Sequence, residues 1–131
     1  MEIGLIGLGK MGFHLALNMM DHHHHVVAVD KNQEQVERFV QAGGKGVSSL
    51  DELVNELSAP RVIWVMVPAG EATENVINEL SDKLEAGDVI IDGGNSHYKD
   101  TIRRAETLKA KQIYLLDAGT SCGMEGARNG A

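Results

Sequence analysis

Ile3-Gly4-Leu5-Ile6-Gly7-Leu8-Gly9-Lys10-Met11-Gly12 is a short apolar run that gives way to a glycine pattern, and it leads directly into the longer stretch Met11 to Met20. Read as a strand, a GxGxxG turn and the opening of a helix, it decides the fold. In that setting each glycine has its own task. Gly7 permits a tight turn, Gly9 lets the backbone approach a pyrophosphate, and Gly12 allows the helix to pack closely on the strand. The helix N-terminus then offers unpaired N–H groups and a partial positive charge to an anion, with no side chain required. Glycines also end strands for conformational reasons alone, so the pattern needs support from elsewhere in the chain.

That support begins with a repeated rhythm. Short apolar runs recur at Val26-Val27-Ala28-Val29-Asp30, Val62-Ile63-Trp64-Val65-Met66-Val67, Val89-Ile90-Ile91-Asp92 and Ile113-Tyr114-Leu115-Leu116-Asp117, each ending at or before an Asp, Pro or Gly and each linked to the next by a longer polar-apolar stretch. The runs are continuous rather than alternating, which predicts strands buried on both faces of a parallel sheet. Between them, Ser49 with Glu52 has capping-box spacing ahead of Leu53, Val54 and Leu57, and Val76, Ile77, Leu80 and Leu84 form one helical stripe. A third stripe, Ile102, Ala105 and Leu108, places Arg103 and Arg104 on the polar side, where a solvated face is expected rather than a phosphate contact. The expected architecture is α/β: a Rossmann-like doubly wound, mainly parallel sheet with helices on both faces, spanning residues 1–131 as one domain.

Such sheets bind ligands at the carboxyl ends of their strands. The second strand ends at Asp30, 18 positions after Gly12 and near the spacing expected of the acid that hydrogen-bonds an adenosine ribose. A carboxylate there repels a 2′-phosphate, so Asp30 favours NAD over NADP, while the neighbouring Lys31 keeps NADP in view. The alternative role for Asp30 is to begin the turn before the next helix. Val67-Pro68-Ala69-Gly70 must leave the sheet at the proline and reads either as a plain turn or as one wall of the cofactor cleft. Asp92-Gly93-Gly94-Asn95-Ser96 and Gly119-Thr120-Ser121-Cys122-Gly123 put small and short polar residues where a nicotinamide and a polyhydroxylated substrate would lie. Both also read as ordinary glycine-rich turns.

Composition narrows the function classes. The 131 residues are 43% hydrophobic and 24% charged, ordinary globular usage, and 12 Lys and Arg stand against 19 Asp and Glu for a net charge of −7. No basic stretch could follow a phosphate backbone, so nucleic acid is not an expected partner. The longest apolar stretch, Val62 to Pro68, falls far short of the roughly 20 residues a membrane-crossing helix needs. A single cysteine, Cys122, and an N-terminus without a signal-like segment lead us to expect a cytoplasmic protein. His22-His23-His24-His25 invites a metal reading, but four consecutive side chains fan outward, so a solvated turn and no metal site are expected. Trp64 is expected in the core, and His97 either touches substrate or begins a surface helix.

Three segments taken together resemble the N-terminal domain of the decarboxylating 6-phosphogluconate dehydrogenases. They are Gly7 to Gly12, the run Asp92-Gly93-Gly94-Asn95-Ser96-His97-Tyr98-Lys99-Asp100-Thr101, and the run from Ser121 to Gly130. The resemblance follows the whole chain in order, whereas 3-hydroxyisobutyrate dehydrogenases share the first motif but look different at the second. Asp30 and the Val67 to Gly70 turn look like the NAD-preferring branch. The resemblance implies a cofactor site of Gly7, Leu8, Gly9, Lys10, Met11, Gly12, Asp30, Lys31, Val67, Pro68, Ala69 and Asn95, with Met11 and Asn95 against the nicotinamide. It implies that Asn95, Ser121, Cys122 and Gly123 meet 6-phosphogluconate, which the family oxidises and decarboxylates to ribulose 5-phosphate and CO2. The lysine base and glutamate acid of that chemistry come from a later helical domain that also holds the family's homo-oligomers together. We therefore expect no catalytic residue in this chain and no turnover from it alone. The sequence departs from the family at Cys122, where glycine is usual. If that position needs φ > 0, the cysteine costs on the order of 1 kcal/mol; otherwise its thiol narrows the substrate pocket. The alternatives are another β-hydroxyacid dehydrogenase, of the 3-hydroxyisobutyrate type, and a nucleotide-sensing module without catalysis.

Overall fold

Strands form where β-branched and aliphatic residues run without interruption, and the computed structural model, which describes residues 2–67, 70–93 and 98–117, places them at Glu2–Ile6 (β1), His25–Val29 (β2), Lys45–Gly46 (β3), Val62–Val65 (β4), Val89–Asp92 (β5) and Tyr114–Asp117 (β6). Helices Lys10–Asp21 (α1), Gln33–Gln41 (α2), Leu50–Glu56 (α3), Glu71–Lys83 (α4) and Tyr98–Lys109 (α5) alternate with them. All strand pairs are parallel, in the order β3-β2-β1-β4-β5-β6. The expected doubly wound α/β architecture is thus the observed one. Strand order reverses between β1 and β4, so the chain leaves these two neighbours toward opposite edges and opens a crevice at their carboxyl ends.

Two cores flank the sheet. Leu15, Ala16 and Met19 of α1 and Val36 and Phe39 of α2 pack on Ile3, Leu5, Val26 and Ala28. Leu53, Val54, Ile77, Leu80 and Leu108 of α3, α4 and α5 pack on Ile6, Val27, Ile63, Val65 and Ile90. The alternation within β1 and β2 sends neighbouring residues to opposite cores.

Three expectations need correction. β3 has only two residues and no apolar run, so periodicity does not reveal it; it exists because it can pair with β2 at the sheet edge. Burial on both faces holds for β1 and β2 but fades across the register row Leu5, Trp64, Ile91 and Leu116, from fully buried Leu5 to a Leu116 that is 53% exposed. Helices α1 and α2 cover that face only over β1 to β3, and among the described residues no helix packs over its outer half. Third, α5 is turned from the expected stripe. Leu108 is buried, but Ile102 is 54% exposed and Arg104 is buried. Arg104 instead turns inward and pairs with the Glu74 carboxylate.

The histidine segment is a turn, as expected. His22 follows α1 and its ring Nδ1 lies 2.8 Å from the Asn18 carbonyl, His23 takes φ of 68°, and His25 begins β2.

Candidate functional site

The crevice between β1 and β4 is a cleft of about 520 Å³, walled by Ile6, Gly7, Gly9, Val29, Asp30 and Lys31 on one side and by Met66, Val67, Ala72, Asn75, Val76 and Glu79 on the other, with Ser48, Ser49 and Leu50 closing one end. That volume lies within the range of small-ligand and cofactor sites. Its floor is the first turn, where Gly7 and Gly12 carry the turn and close-packing tasks their spacing suggested. Gly7 has φ of +100°, and a Cβ there would sit 2.6 Å from the Met66 carbonyl oxygen. A Cβ on Gly12 would sit 2.1 Å from the Gly7 carbonyl oxygen, so only glycine lets α1 come this close to β1. A Cβ on Gly9 would meet nothing within 4 Å, and Gly9 has φ of −66°, so its missing side chain serves open space rather than packing or backbone strain.

Electrostatics at this floor favours an anion. Gly9 caps α1 without a side-chain hydrogen bond, and the first turn of the helix contains no acidic residue. The contrast with its neighbours is informative: Asn32 caps α2 by accepting from the Glu34 N–H, and Ser49 caps α3 by accepting from the Glu52 N–H, each with an acid in the first turn. α1 leaves its N-terminal N–H groups and partial positive charge facing the cleft, an arrangement that suits a phosphate.

Asp30 fastens the turn to the second strand. One carboxylate oxygen accepts from the Leu8 N–H at 2.5 Å and the other from the Asn32 N–H at 2.7 Å. Gln35, which no sequence pattern singled out, donates its side-chain N–H to the Leu8 carbonyl at 2.9 Å. Both backbone groups of Leu8 are therefore held by side chains of the β2 end and α2. Carboxylate oxygens carry further lone pairs, so Asp30 can grip the turn and still accept from a ligand hydroxyl. Its Asn32 contact fills the second of its alternative roles, beginning the turn into α2.

Of the sequence-suggested residues, the fold brings Gly7, Gly9, Asp30, Lys31 and Val67 together on the cleft wall. Leu8 instead turns its side chain wholly into the α1-side core, Gly12 is buried beneath the turn, Met11 is half-buried against the same core, and Lys10 is exposed. Pro68, Ala69, Asn95, His97, Ser121, Cys122 and Gly123 lie outside the described residues. Sequence reasoning missed Asn75, Val76 and Glu79, because a helix stripe shows which residues face the core but not which end of the helix faces a crevice. It read Ser49 only as a cap; the chain's return from β3 to β4 also carries it to the mouth of the cleft.

A second set of contacts lies beside the cleft, at the carboxyl ends of β4 and β5. Arg104, whose side chain is only 3% exposed, donates through Nε to a Glu74 carboxylate oxygen at 2.6 Å, and one terminal nitrogen lies 3.4 Å from the Gly70 carbonyl. Its other terminal nitrogen is 3.9 Å from Asp92, which is fully buried at the end of β5. Arg103, on the solvent side, pairs with the second Glu74 oxygen at 2.7 Å. The Arg103 and Arg104 guanidiniums hold the Glu74 carboxyl below the usual carboxylate range. The expected solvated face is correct for Arg103 and wrong for Arg104.

The sequence matches, over residues 2–131, the family described as the NAD binding domain of 6-phosphogluconate dehydrogenase. It is 49% identical over its full length to the Bacillus subtilis protein YqeC, itself only provisionally named a 6-phosphogluconate dehydrogenase, and covers 44% of that relative. It is 46% identical to the decarboxylating 6-phosphogluconate dehydrogenase of Aggregatibacter actinomycetemcomitans, covering 98% of this chain and 28% of the relative. The solved Plasmodium falciparum 6-phosphogluconate dehydrogenase, studied with NADP+ and with 6-phosphogluconate, superposes with a TM-score of 0.90 at 34% identity, over 98% of this chain and 29% of that one. A Mycobacterium tuberculosis 3-hydroxyisobutyrate dehydrogenase superposes at 0.86 with 24% identity, covering 97% of this chain and 43% of that one, a likeness of fold alone. The chain spans less than half the length of these relatives. With its sheet order, its glycine turn and its match over residues 2–131, the chain belongs to the NAD-binding domain family of 6-phosphogluconate dehydrogenase.

Proposed function

We propose that this chain is the coenzyme-binding domain, over residues 1–131, of an enzyme that oxidatively decarboxylates 6-phosphogluconate, and that its coenzyme is NAD. The observation that carries the reading is the placement of Asp30: anchored to the Leu8 N–H, it stands on the wall of the crevice beside the uncapped start of α1. In this reading the diphosphate lies on the Gly7 to Gly12 turn and the adenosine ribose donates to Asp30. Glu79, on the opposite wall, adds a second negative charge to the same cleft. Two carboxylates against one Lys31 disfavour the additional 2′-phosphate of NADP. When bound, the coenzyme supplies the hydride acceptor; the residues of this chain bind it, orient it and shield its diphosphate from water.

Val67, Pro68, Ala69 and Asn95 are proposed for the nicotinamide side, and Asn95, Ser121, Cys122 and Gly123 for the sugar acid. The acid–base pair is proposed to come from the longer enzyme, as the family resemblance implies, so the chain alone binds coenzyme without turnover. Calorimetry with NAD and NADP tests the coenzyme assignment: NAD binds and NADP binds more weakly, whereas no heat with NAD at millimolar concentration overturns it. An assay of the longer enzyme on 6-phosphogluconate and on 3-hydroxyisobutyrate tests the substrate, with turnover expected only on the first.

A further inference from the structure

We propose that Arg104 is a positioning residue for the nicotinamide half of the cleft, although among the described residues none of its helix lines that cleft. The proposal rests on the reading above that the loops after β4 and β5 flank the nicotinamide ring. Three observations carry it.

First, Arg104 is buried where the pattern of α5 would have placed an aliphatic side chain, and Ile102 is left in solvent. A buried guanidinium is costly to desolvate and persists only where its donors are matched. Second, it donates to the Gly70 carbonyl at the start of α4 and brings another guanidinium nitrogen to 3.9 Å from Asp92 at the end of β5, within ion-pair reach rather than hydrogen-bond distance. Gly70, at φ of +94°, is the residue from which the chain turns after β4 into α4, and its carbonyl receives both the first helical N–H, from Glu74, and the Arg104 side chain. Asp92 is the last residue of β5, immediately before Gly93. Third, Glu74 is shared: Arg104 takes one oxygen and Arg103 the other, so the first turn of α4 is pinned to α5 from two directions. One side chain thereby links the start of α4, through Gly70 and Glu74, to α5 and stands beside Asp92 at the end of β5. A lysine at this position could satisfy one partner but lacks the planar guanidinium fork.

The adenosine half of the cleft has its own fastening through Asp30, Leu8 and Gln35 and shares none of these residues. A disturbance at Arg104 should therefore reach the nicotinamide and spare the rest of the coenzyme. The test titrates the wild type, Arg104→Lys, Arg104→Gln and Glu74→Gln with ADP-ribose and with NADH, and follows the emission of the bound dihydronicotinamide. The wild type binds both ligands and enhances NADH emission. In Arg104→Gln, ADP-ribose affinity stays within about twofold, NADH affinity falls about tenfold and the enhancement is lost. Arg104→Lys recovers part of it and Glu74→Gln weakens it. If Arg104→Gln does not fold, Arg104→Lys and Glu74→Gln decide the question on the same two ligands. Parallel losses for ADP-ribose and NADH, or no loss for either, overturn the positioning role. A wild type that binds neither ligand overturns the coenzyme reading itself, and the positioning role with it.

Discussion

On the β1–β2 side of the cleft, the parts that shape the floor are neighbours in the chain: three glycines in one turn, and a carboxylate that reaches back 22 positions to a single N–H. On the β4–β5 side, the start of α4 is held by a side chain 34 positions beyond Gly70, on a different helix, which also stands 3.9 Å from Asp92 at the end of β5. The first side is built by close approach of backbone, where a single added carbon is a steric fault. The second is built by a charged fork, where geometry depends on matched partners. Backbone construction leaves a legible pattern in sequence; construction by a distant side chain does not.

Replacement of glycine on the first side should produce the largest effect. Gly12→Ala forces a Cβ to 2.1 Å from the Gly7 carbonyl oxygen. The expected cost is roughly 3 kcal/mol, about 10 °C in a thermal melt, because backbone must move rather than a side chain. A melt unchanged by this substitution would show that α1 and β1 are not in such contact.

Asp30→Ala should come next. It removes charge-assisted hydrogen bonds of about 1.5–3 kcal/mol, so NAD affinity should fall roughly 10- to 100-fold by calorimetry. NADP should lose less, since the repulsion of its 2′-phosphate goes with the carboxylate. Equal losses for both coenzymes would restrict Asp30 to holding the Leu8 turn.

The smallest effect belongs to the charged fork and depends on pH. The guanidiniums lower the Glu74 pKa in the folded state, so near that value the unfolded chain binds more protons than the folded one. The contribution is complete above the ordinary glutamate value of 4.5 and is lost as pH falls below it through the lowered one. Glu74→Gln should therefore melt about 2 °C below the wild type at neutral pH, with the gap closing in acid. A gap that widens in acid would give the opposite sign to the shift.

The legible parts of the molecule share a physical basis. All five apolar runs became strands within two residues of their expected limits, because a parallel strand must be apolar over consecutive positions. The third, Val62 to Val67, leaves the sheet at Val65, so that Met66 and Val67 join the cleft wall. The two-residue β3 gave no such run. Arg104 was illegible because helical periodicity weighs apolar character alone, and a buried arginine is decided by acids that only the folded topology brings near it. Gln35, Asn75 and Glu79 escaped notice for a related reason: each meets the cleft through a crossover whose end point the local sequence does not specify.

Gly9→Ala tests most directly whether the glycine turn exists to receive a diphosphate. Gly9 has ordinary φ and empty space before it, so alanine there should cost only the N-cap preference, about 1 kcal/mol or roughly 3 °C. The added methyl would nonetheless stand where the phosphates are to rest. Paired calorimetry and melting on this variant should show NAD affinity reduced at least about tenfold in a protein that remains folded. A folded Gly9→Ala that binds NAD as tightly as the wild type would contradict the account.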